Sequence, residues 1–144
     1  DFIRASPSVA MDGAVELIDA LVADGFVLAV GSSGPPENIE LMLEKLGRAA
    51  RFAVIVTGAD VTRGKPDPQV FQLAAARLGV APLACVVIED AVHGVEAARR
   101  GEMKSVALAG TSSREALARH ADRVVDSLRQ ITPENLRELL ARGG

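Results

Sequence analysis

Charged side chains follow two of the apolar segments of this chain, at positions where parallel strands would end. Lys65 stands in the segment Gly64-Lys65-Pro66-Asp67-Pro68, and Glu89 and Asp90 follow the apolar run 85–88. A lysine can neutralise a transferring phosphoryl group, and Mg²⁺ is commonly bound by one or two carboxylates together with phosphate oxygens. These residue types are the ones that a magnesium-dependent phosphoryl-transfer site requires.

A group of small residues, Gly31-Ser32-Ser33-Gly34-Pro35, follows the earlier apolar run 26–30. Its hydroxyls and backbone N–H groups lead toward a helix, and such a turn can bind a phosphate oxygen. The segment is also consistent with an ordinary turn in which a serine caps the helix, because Ser and Gly are common in turns. Ser32 and Ser33 are therefore candidate phosphate-binding residues.

Each of the charged candidates also has a simpler structural interpretation. Most loop lysines are solvated, and Arg63 is a second cation in the same loop that we expect to be external. Asp90 could cap the following helix, although a cap accounts for only one of two adjacent acids. His93 and His120 have no Ser, Cys or acid at a spacing that indicates a catalytic triad. We expect surface or structural roles for both histidines.

The elements that must position these residues alternate along the chain. Amphipathic periodicity predicts helices at 14–22, 39–46, 70–78, 92–100, 113–119 and 133–141, and apolar runs predict strands at 26–30, 53–56, 85–88, 105–108 and 123–125. Asp12 is placed to cap the first helix, and Asp67 to cap the third with Pro68 as its first residue. This alternation indicates an α/β fold, a Rossmann-like parallel sheet with helices on both faces. Ligands bind such sheets at the carboxyl ends of the strands.

Composition argues against several functional classes. The 144 residues carry a formal net charge of −3 and no basic run, so we expect no nucleic-acid partner. No apolar run approaches the roughly 20 residues that span a bilayer, so we expect no membrane partner. The single cysteine, Cys85, lies within an apolar run, which favours a buried thiol in a reducing compartment. The sequence therefore predicts a cytoplasmic globular domain.

Together the three polar segments resemble the haloacid dehalogenase-like (HAD) hydrolase superfamily, and within it the β-phosphoglucomutase-like phosphatases. The resemblance lies in residues 30–33 (Val-Gly-Ser-Ser), 63–68 (Arg-Gly-Lys-Pro-Asp-Pro) and 87–98 (Val-Ile-Glu-Asp-Ala-Val-His-Gly-Val-Glu-Ala-Ala). The motifs occur in the family's order, and the resemblance extends from about Val9 to the C-terminus. It implies that Ser32 binds the transferring phosphoryl group and that Lys65 stabilises the nucleophile and the phosphate.

The resemblance also implies a bound Mg²⁺. Glu89 and Asp90 correspond to the family's metal-binding acids, and Asp90 is the expected direct ligand. Ala91 stands where family members often have serine. This difference removes a hydroxyl near the metal but no charge, so we expect it to modify the activity rather than abolish it. The implied reaction is hydrolysis or intramolecular transfer of the phosphoryl group of a small phosphorylated metabolite, such as a sugar phosphate, through an aspartyl-phosphate.

The family's first motif is absent from this chain. That motif is an Asp-x-Asp after a central strand, whose first Asp attacks phosphorus, and no two aspartates here are separated by a single residue. We therefore expect the central strand and the cap domain that follows it to be missing. Residues 1–10 resemble the end of the return from the cap, and 11–144 the C-terminal part of the core. We expect a part of a larger protein, inactive without the missing N-terminal segment.

Two other interpretations stay open. A haloacid dehalogenase uses the same attacking aspartate without a metal, and the paired acids argue against it because they would oppose a developing anion. A non-catalytic binding module or pseudoenzyme would keep the sheet without the nucleophile. The presence of Lys65 together with Glu89 and Asp90 argues against that second alternative.

Overall fold

The computed structural model describes residues 2–5, by their backbone only, and residues 12–142. The strands are β1 (Phe2–Ala5), β2 (Val27–Gly31), β3 (Phe52–Val56), β4 (Cys85–Glu89), β5 (Lys104–Leu108) and β6 (Arg123–Val125). The helices are α1 (Ala14–Ala23), α2 (Pro36–Leu46), α3 (Gln69–Leu78), α4 (Val92–Arg100), α5 (Arg114–Ala118) and α6 (Pro133–Ala141). In the described part of the chain, no helix is long and apolar enough to cross a membrane.

The strands form one parallel sheet in the order β3-β2-β1-β4-β5-β6. This order confirms the predicted α/β class with a Rossmann-like sheet. The strand order reverses between β1 and β4, and ligands bind such sheets beyond the carboxyl ends of the strands near that reversal. The segments that follow β2 and β4 therefore flank the carboxyl end of β1 at the centre of one rim.

The central strand of the sheet is Phe2–Ala5. Each of its residues is in register with β2 on one side and β4 on the other, so that Ala5 lies level with Val30 and with Ile88. The expectation that the chain lacks the central strand of the sheet is wrong, because residues 2–5 occupy that position. Without β1, the facing backbone groups of β2 and β4 would be left unpaired. β1 supplies hydrogen-bonding partners to both strands. The assignment of residues 1–10 to the return from a cap stays a prediction, and residues 1 and 6–10 lie outside the described residues.

Apolar side chains hold helices on both faces of the sheet. Successive strand residues point to opposite faces, so Val86 packs in the cluster that contains the buried residues of α1, α2 and α6. Its neighbour Val87 packs in the cluster that contains those of α3 and α4. Cys85, Val86 and Val87 are all fully buried, as the continuous apolar run predicted. The packing of helices on both faces therefore fixes the positions of the strand ends.

Two predicted helix caps differ in the structure. The N-cap position of α1 is Gly13, with φ +85°, and Asp12 instead forms a two-bond ion pair with Arg129 at 2.8 and 2.9 Å. A bidentate guanidinium is a stronger partner for a carboxylate than a single backbone N–H. α3 begins at Gln69 with Pro68 at its N-cap position, rather than with Pro68 as its first residue, and Asp67 accepts a hydrogen bond from the Gln69 N–H at 2.9 Å. These shifts leave the strand ends, and hence the rim, where the sequence placed them.

Candidate active site at the carboxyl rim of the sheet

Glu89 and Asp90, at the carboxyl end of β4, have different surroundings. Glu89 is 3% exposed, and its Oε2 accepts a hydrogen bond from Lys65 Nζ at 2.8 Å while its Oε1 accepts one from the Asp90 N–H at 3.1 Å. Asp90 is partly exposed, and its Oδ2 accepts a hydrogen bond from Thr111 Oγ1 at 3.1 Å. The two adjacent acids are therefore not equivalent. Glu89 is the partner of a lysine, and Asp90 faces the rim.

Lys65 is not a solvated loop lysine. Its side chain is 14% exposed, and its ammonium lies 4.9 Å from the ring centroid of Phe71, which is fully buried in the first turn of α3. The Glu89 carboxylate and the face of an aromatic ring both stabilise a cation. The neighbouring Arg63 has a side chain that is 75% exposed, as predicted. Of the two cations in this loop, only Lys65 is held at the rim.

Gly94 makes room for the Glu89 carboxyl group. It lies in α4, and a Cβ added at this position would overlap Cγ, Cδ and Oε2 of Glu89. Any larger residue would have to displace the Glu89 side chain that holds Lys65. Sequence reasoning gave this glycine no role, although a glycine inside an amphipathic helix costs helix stability and so indicates close packing.

Ser32 and Ser33 lie in the turn after β2 and make different contacts. Ser32 is 7% exposed, its Oγ accepts a hydrogen bond from the Gly34 N–H at 3.1 Å, and its N–H donates to the Val56 carbonyl at 3.0 Å. Ser33 Oγ accepts a long hydrogen bond, 3.4 Å, from the Lys65 N–H. Neither serine caps α2, whose N-cap position is Pro35 without a side-chain cap. The interpretation of this turn as a serine cap is therefore wrong, and the turn contacts the lysine loop instead.

The loop after β3 holds this turn in place. The Gly58 N–H donates to the Gly34 carbonyl at 2.7 Å, and a Cβ at Gly58 would overlap the Ser33 carbonyl. In the same loop Asp60 Oδ2 accepts a hydrogen bond from the Thr57 N–H at 2.9 Å. This hydrogen bond, together with the nearby Arg77 guanidinium, lowers the pKa of the Asp60 carboxyl below its usual value. Gly58 thus sets the position of the turn that carries Ser32, and Asp60 fixes the start of the loop that carries Gly58.

Asp90 does not cap α4. The N-cap position is Ala91, and no side chain caps the helix. The carboxylate of Asp90 is bonded across the rim to Thr111, in the loop after β5, a residue that sequence reasoning missed. Thr111, Ser112 and Ser113 are consecutive and typical of any turn, so the sequence alone did not distinguish the hydroxyl that contacts Asp90.

The rim fits a Mg²⁺ ion that takes only part of its ligands from this chain. Within residues 12–142, no three His, Cys, Asp or Glu side chains are grouped so that they could hold a metal ion. Mg²⁺ usually combines one or two carboxylates with phosphate oxygens and water. The partly exposed Asp90 carboxylate suits that role, whereas both oxygens of Glu89 are engaged by Lys65 and the backbone. The direct binding of a metal by Glu89 stays a prediction.

Four of the five predicted site residues form one connected set of contacts, and Ser32 is the chain neighbour of one of them, Ser33. Ser33 contacts the Lys65 loop, Lys65 contacts Glu89, and Glu89 contacts the Asp90 backbone. The histidines lie outside this set: His93 is exposed on α4, and His120 lies beside Glu96 with a separation of 3.6 Å between Nε2 and Oε1. The sequence that follows β1, Ser6-Pro7-Ser8-Val9-Ala10, contains no carboxylate. The described residues therefore bring the candidate cation-binding and phosphate-binding groups together, and no acid stands in the five residues directly after the central strand.

Comparisons with known proteins agree with this fold. A family model described as haloacid dehalogenase-like hydrolase matches residues 1–101. Validoxylamine A 7'-phosphate phosphatase from Streptomyces hygroscopicus subsp. limoneus is 39% identical over 124 residues, 86% of this chain and 58% of that protein. β-Phosphoglucomutase from Clostridium difficile aligns with a TM-score of 0.80 at 28% identity, over 92% of this chain and 56% of that one. CbbY from Rhodobacter sphaeroides, solved in complex with phosphate, aligns with a TM-score of 0.77 at 29% identity, over 83% and 55%. The chain thus spans little more than half the length of these relatives.

Proposed function

Because this chain belongs to the haloacid dehalogenase-like hydrolase family, we propose that it provides the phosphate-binding and cation-binding rim of a phosphohydrolase or phosphomutase. The observation that carries this proposal is the Lys65 ammonium held at 2.8 Å from the buried Glu89 carboxylate, next to the partly exposed Asp90. The substrate is a small phosphorylated metabolite such as a sugar phosphate. The phosphatase and phosphoglucomutase among its relatives support that substrate class.

In this proposal the turn after β2 and the lysine loop bind the transferring phosphoryl group from two sides. The Ser32 hydroxyl and the Ser33 N–H donate to phosphoryl oxygens, and the Lys65 ammonium balances their negative charge. Glu89 and the Phe71 ring hold the ammonium in place before a substrate arrives. Such preorganisation avoids the cost of ordering a flexible lysine during the reaction. Ser33, predicted to bind phosphate, also aligns the lysine loop through its contact with the Lys65 N–H.

Asp90 is the residue that would hold Mg²⁺. The ion, when bound, neutralises charge on the phosphoryl oxygens. Asp90 suits this role because its carboxylate is partly exposed on the rim while Glu89 is committed to Lys65. Glu89 then affects the ion indirectly, since its negative charge is already balanced by the lysine.

We expect the attacking carboxylate to come from outside this chain. In the mechanism that the family resemblance implies, an aspartate at the end of the central strand attacks phosphorus and forms an aspartyl-phosphate. β1 occupies the central position, and no acid stands among the five residues that follow it. We propose that turnover requires an Asp-x-Asp segment outside these residues and that the chain alone binds ligands without turning them over. A reducing compartment such as the cytoplasm is part of the proposal, supported by the buried position of Cys85.

The test is magnesium-dependent release of phosphate from a panel of sugar phosphates. This chain would be compared with a version extended upstream, as its gene encodes it, until an Asp-x-Asp is included. We expect activity only in the extended version, reduced by at least about 100-fold in Asp90→Asn and in Lys65→Met. Arg63→Met is the matched control, because it removes an exposed cation from the same loop, and it should leave the activity unchanged.

The opposite outcome also has a clear meaning. A folded extended version that releases no phosphate from any substrate would contradict the phosphohydrolase proposal. It would favour the non-catalytic binding module. Full activity in Asp90→Asn would be compatible with the proposed enzyme class but would contradict the proposed cation site.

A further inference from the structure

The loop after β5 rises above the end of β4 and contacts Asp90. Glu89, the last residue of β4, is level with Ala107, and β5 continues to Leu108. The Ala109 N–H donates to the Val125 carbonyl at 2.8 Å, which fixes the start of the loop to the end of β6. Gly110 then takes a φ of +139°, a conformation that side-chain-bearing residues rarely adopt. This path brings Thr111 to the rim.

The hydroxyls in this loop have different partners. Ser113 Oγ accepts a hydrogen bond from the Ala116 N–H at 3.2 Å and so caps α5. Thr111 Oγ1 donates to Asp90 Oδ2 at 3.1 Å, across a separation of 21 residues in the chain. A helix cap explains Ser113 within its own segment. The Thr111 contact joins two different strand ends, so local turn formation does not account for it.

We propose that Thr111 is a positioning residue for Asp90, an inference that rests on the proposed function of Asp90 as a Mg²⁺ ligand. A hydroxyl bonded to one carboxylate oxygen restricts rotation of the carboxyl group and thereby aims its other oxygen. Hydrogen bonds of this kind orient metal-binding carboxylates, and their loss typically weakens metal binding 10- to 100-fold.

The exposure of Thr111 separates a positioning role from a structural one. Thr111 is exposed, so water can replace its hydrogen bond in the absence of a ligand, and the contact contributes little to folding stability. Its effect is instead on the orientation of Asp90. We therefore expect Thr111→Val, which keeps the shape and removes the hydroxyl, to leave the melting temperature unchanged and to weaken ion binding.

The test is a titration of the 144-residue chain with Mg²⁺ in the presence of inorganic phosphate, which supplies the oxygen ligands that the chain does not, followed by the NMR shifts of the Asp90 and Ala91 amides. Thr111→Val should weaken Mg²⁺ binding about 10-fold or more, and Thr111→Ser, which restores the hydroxyl, should stay within about 3-fold of the unsubstituted chain. Ser112→Ala is the matched control, because it removes the adjacent hydroxyl of the same loop, and it should have no effect.

The variants also separate failure of this inference from failure of the proposed function. Unchanged binding in Thr111→Val, with binding abolished in Asp90→Asn, would overturn the role of Thr111 and leave Asp90 as the ligand. Equal weakening in Thr111→Ser and Thr111→Val would also overturn it, since the hydroxyl would then not matter. Binding that survives Asp90→Asn, or no binding to the unsubstituted chain, would instead remove the cation site on which the inference rests.

Discussion

At the scale of single residues, the candidate site depends on a buried ion pair rather than on an isolated catalytic lysine. The side chains of Lys65 and Glu89 are 14% and 2% exposed. Two opposite charges in such surroundings stabilise each other, but either one alone would be left poorly solvated. The residue types and their order in the sequence predicted that both would lie at the rim. The sequence could not predict that Glu89 would turn toward the lysine and Asp90 toward the rim, because that choice depends on the packing of α3 and α4.

The first prediction concerns this ion pair. Glu89→Gln should lower the free energy of unfolding by about 3 kcal/mol, because it leaves the ammonium without its partner. The double variant Lys65→Met/Glu89→Gln should lose clearly less than the sum of the two single variants. Urea unfolding of the four proteins measures both quantities. Strict additivity would show that the two side chains do not form the pair described here.

The second prediction concerns Gly94. Gly94→Ala should destabilise the chain by about 2 kcal/mol, since the added methyl group overlaps the Glu89 carboxyl group and forces a rearrangement. In a Glu89→Ala background the same change should be neutral or stabilising by up to about 1 kcal/mol, because alanine is the better helix former. Thermal or urea unfolding checks the reversal of sign. Equal destabilisation in both backgrounds would mean that Gly94 is required for another reason.

At the scale of elements, the sequence located the strand ends well and the contacts between the loops poorly. Apolar runs predicted the four strands β2 to β5 to within one residue at either end. The loops are held together by contacts between segments distant in sequence, such as Gly58 with Gly34 and Thr111 with Asp90. Periodicity carries no information about such contacts. A glycine or a hydroxyl in a turn signals only that a turn is present.

The third prediction concerns pH and the loop after β3. The pKa of Asp60 is lowered in the folded chain, so its charged form favours folding above the ordinary aspartate value of 3.8, and this contribution is lost as pH falls through the lowered pKa. Asp60→Asn keeps an oxygen that can accept the Thr57 N–H and removes the charge. The stability difference between the two proteins should be largest near neutral pH and should shrink in acid.

The measurement is the free energy of unfolding of both proteins across the acid range. Arg77→Met provides the control on the cause of the shift. Because the Thr57 hydrogen bond is the larger cause, the pKa of Asp60 in Arg77→Met should rise only part of the way to its ordinary value. Parallel stability curves for the unsubstituted chain and Asp60→Asn would contradict the lowered pKa.

At the scale of the whole molecule, the main difference from expectation is the central strand. The alternation of apolar runs and amphipathic helices was sufficient to predict a parallel α/β sheet with helices on both faces. It did not predict β1, because Phe-Ile-Arg-Ala is short and gives no periodic signal. In the structure this segment pairs with two neighbours at once, so long-range pairing rather than local propensity determines its conformation.

The fourth prediction tests that pairing. Ile3→Pro should destabilise the chain by about 3 kcal/mol or more, because proline removes a backbone N–H from a strand that is hydrogen-bonded on both sides. Ile3→Val, which keeps the N–H and the β-branched shape, should cost about 1 kcal/mol or less. Hydrogen exchange of the β2 and β4 amides, compared between the two variants, reports the same pairing. Identical exchange in both variants would place residues 2–5 outside the sheet.

The most direct test of the central claim is a titration of the 144-residue chain with inorganic phosphate, with and without Mg²⁺, followed by backbone amide NMR. We expect saturable shifts at the amides of residues 32–34 and 64–65, tighter in the presence of Mg²⁺ and lost in Lys65→Met. A second group of cations, Arg99, Lys104 and Arg119, lines a separate cleft and provides the internal comparison. Shifts confined to that cleft, or no saturable shift at the rim, would contradict the assignment of the rim as a phosphate-binding site.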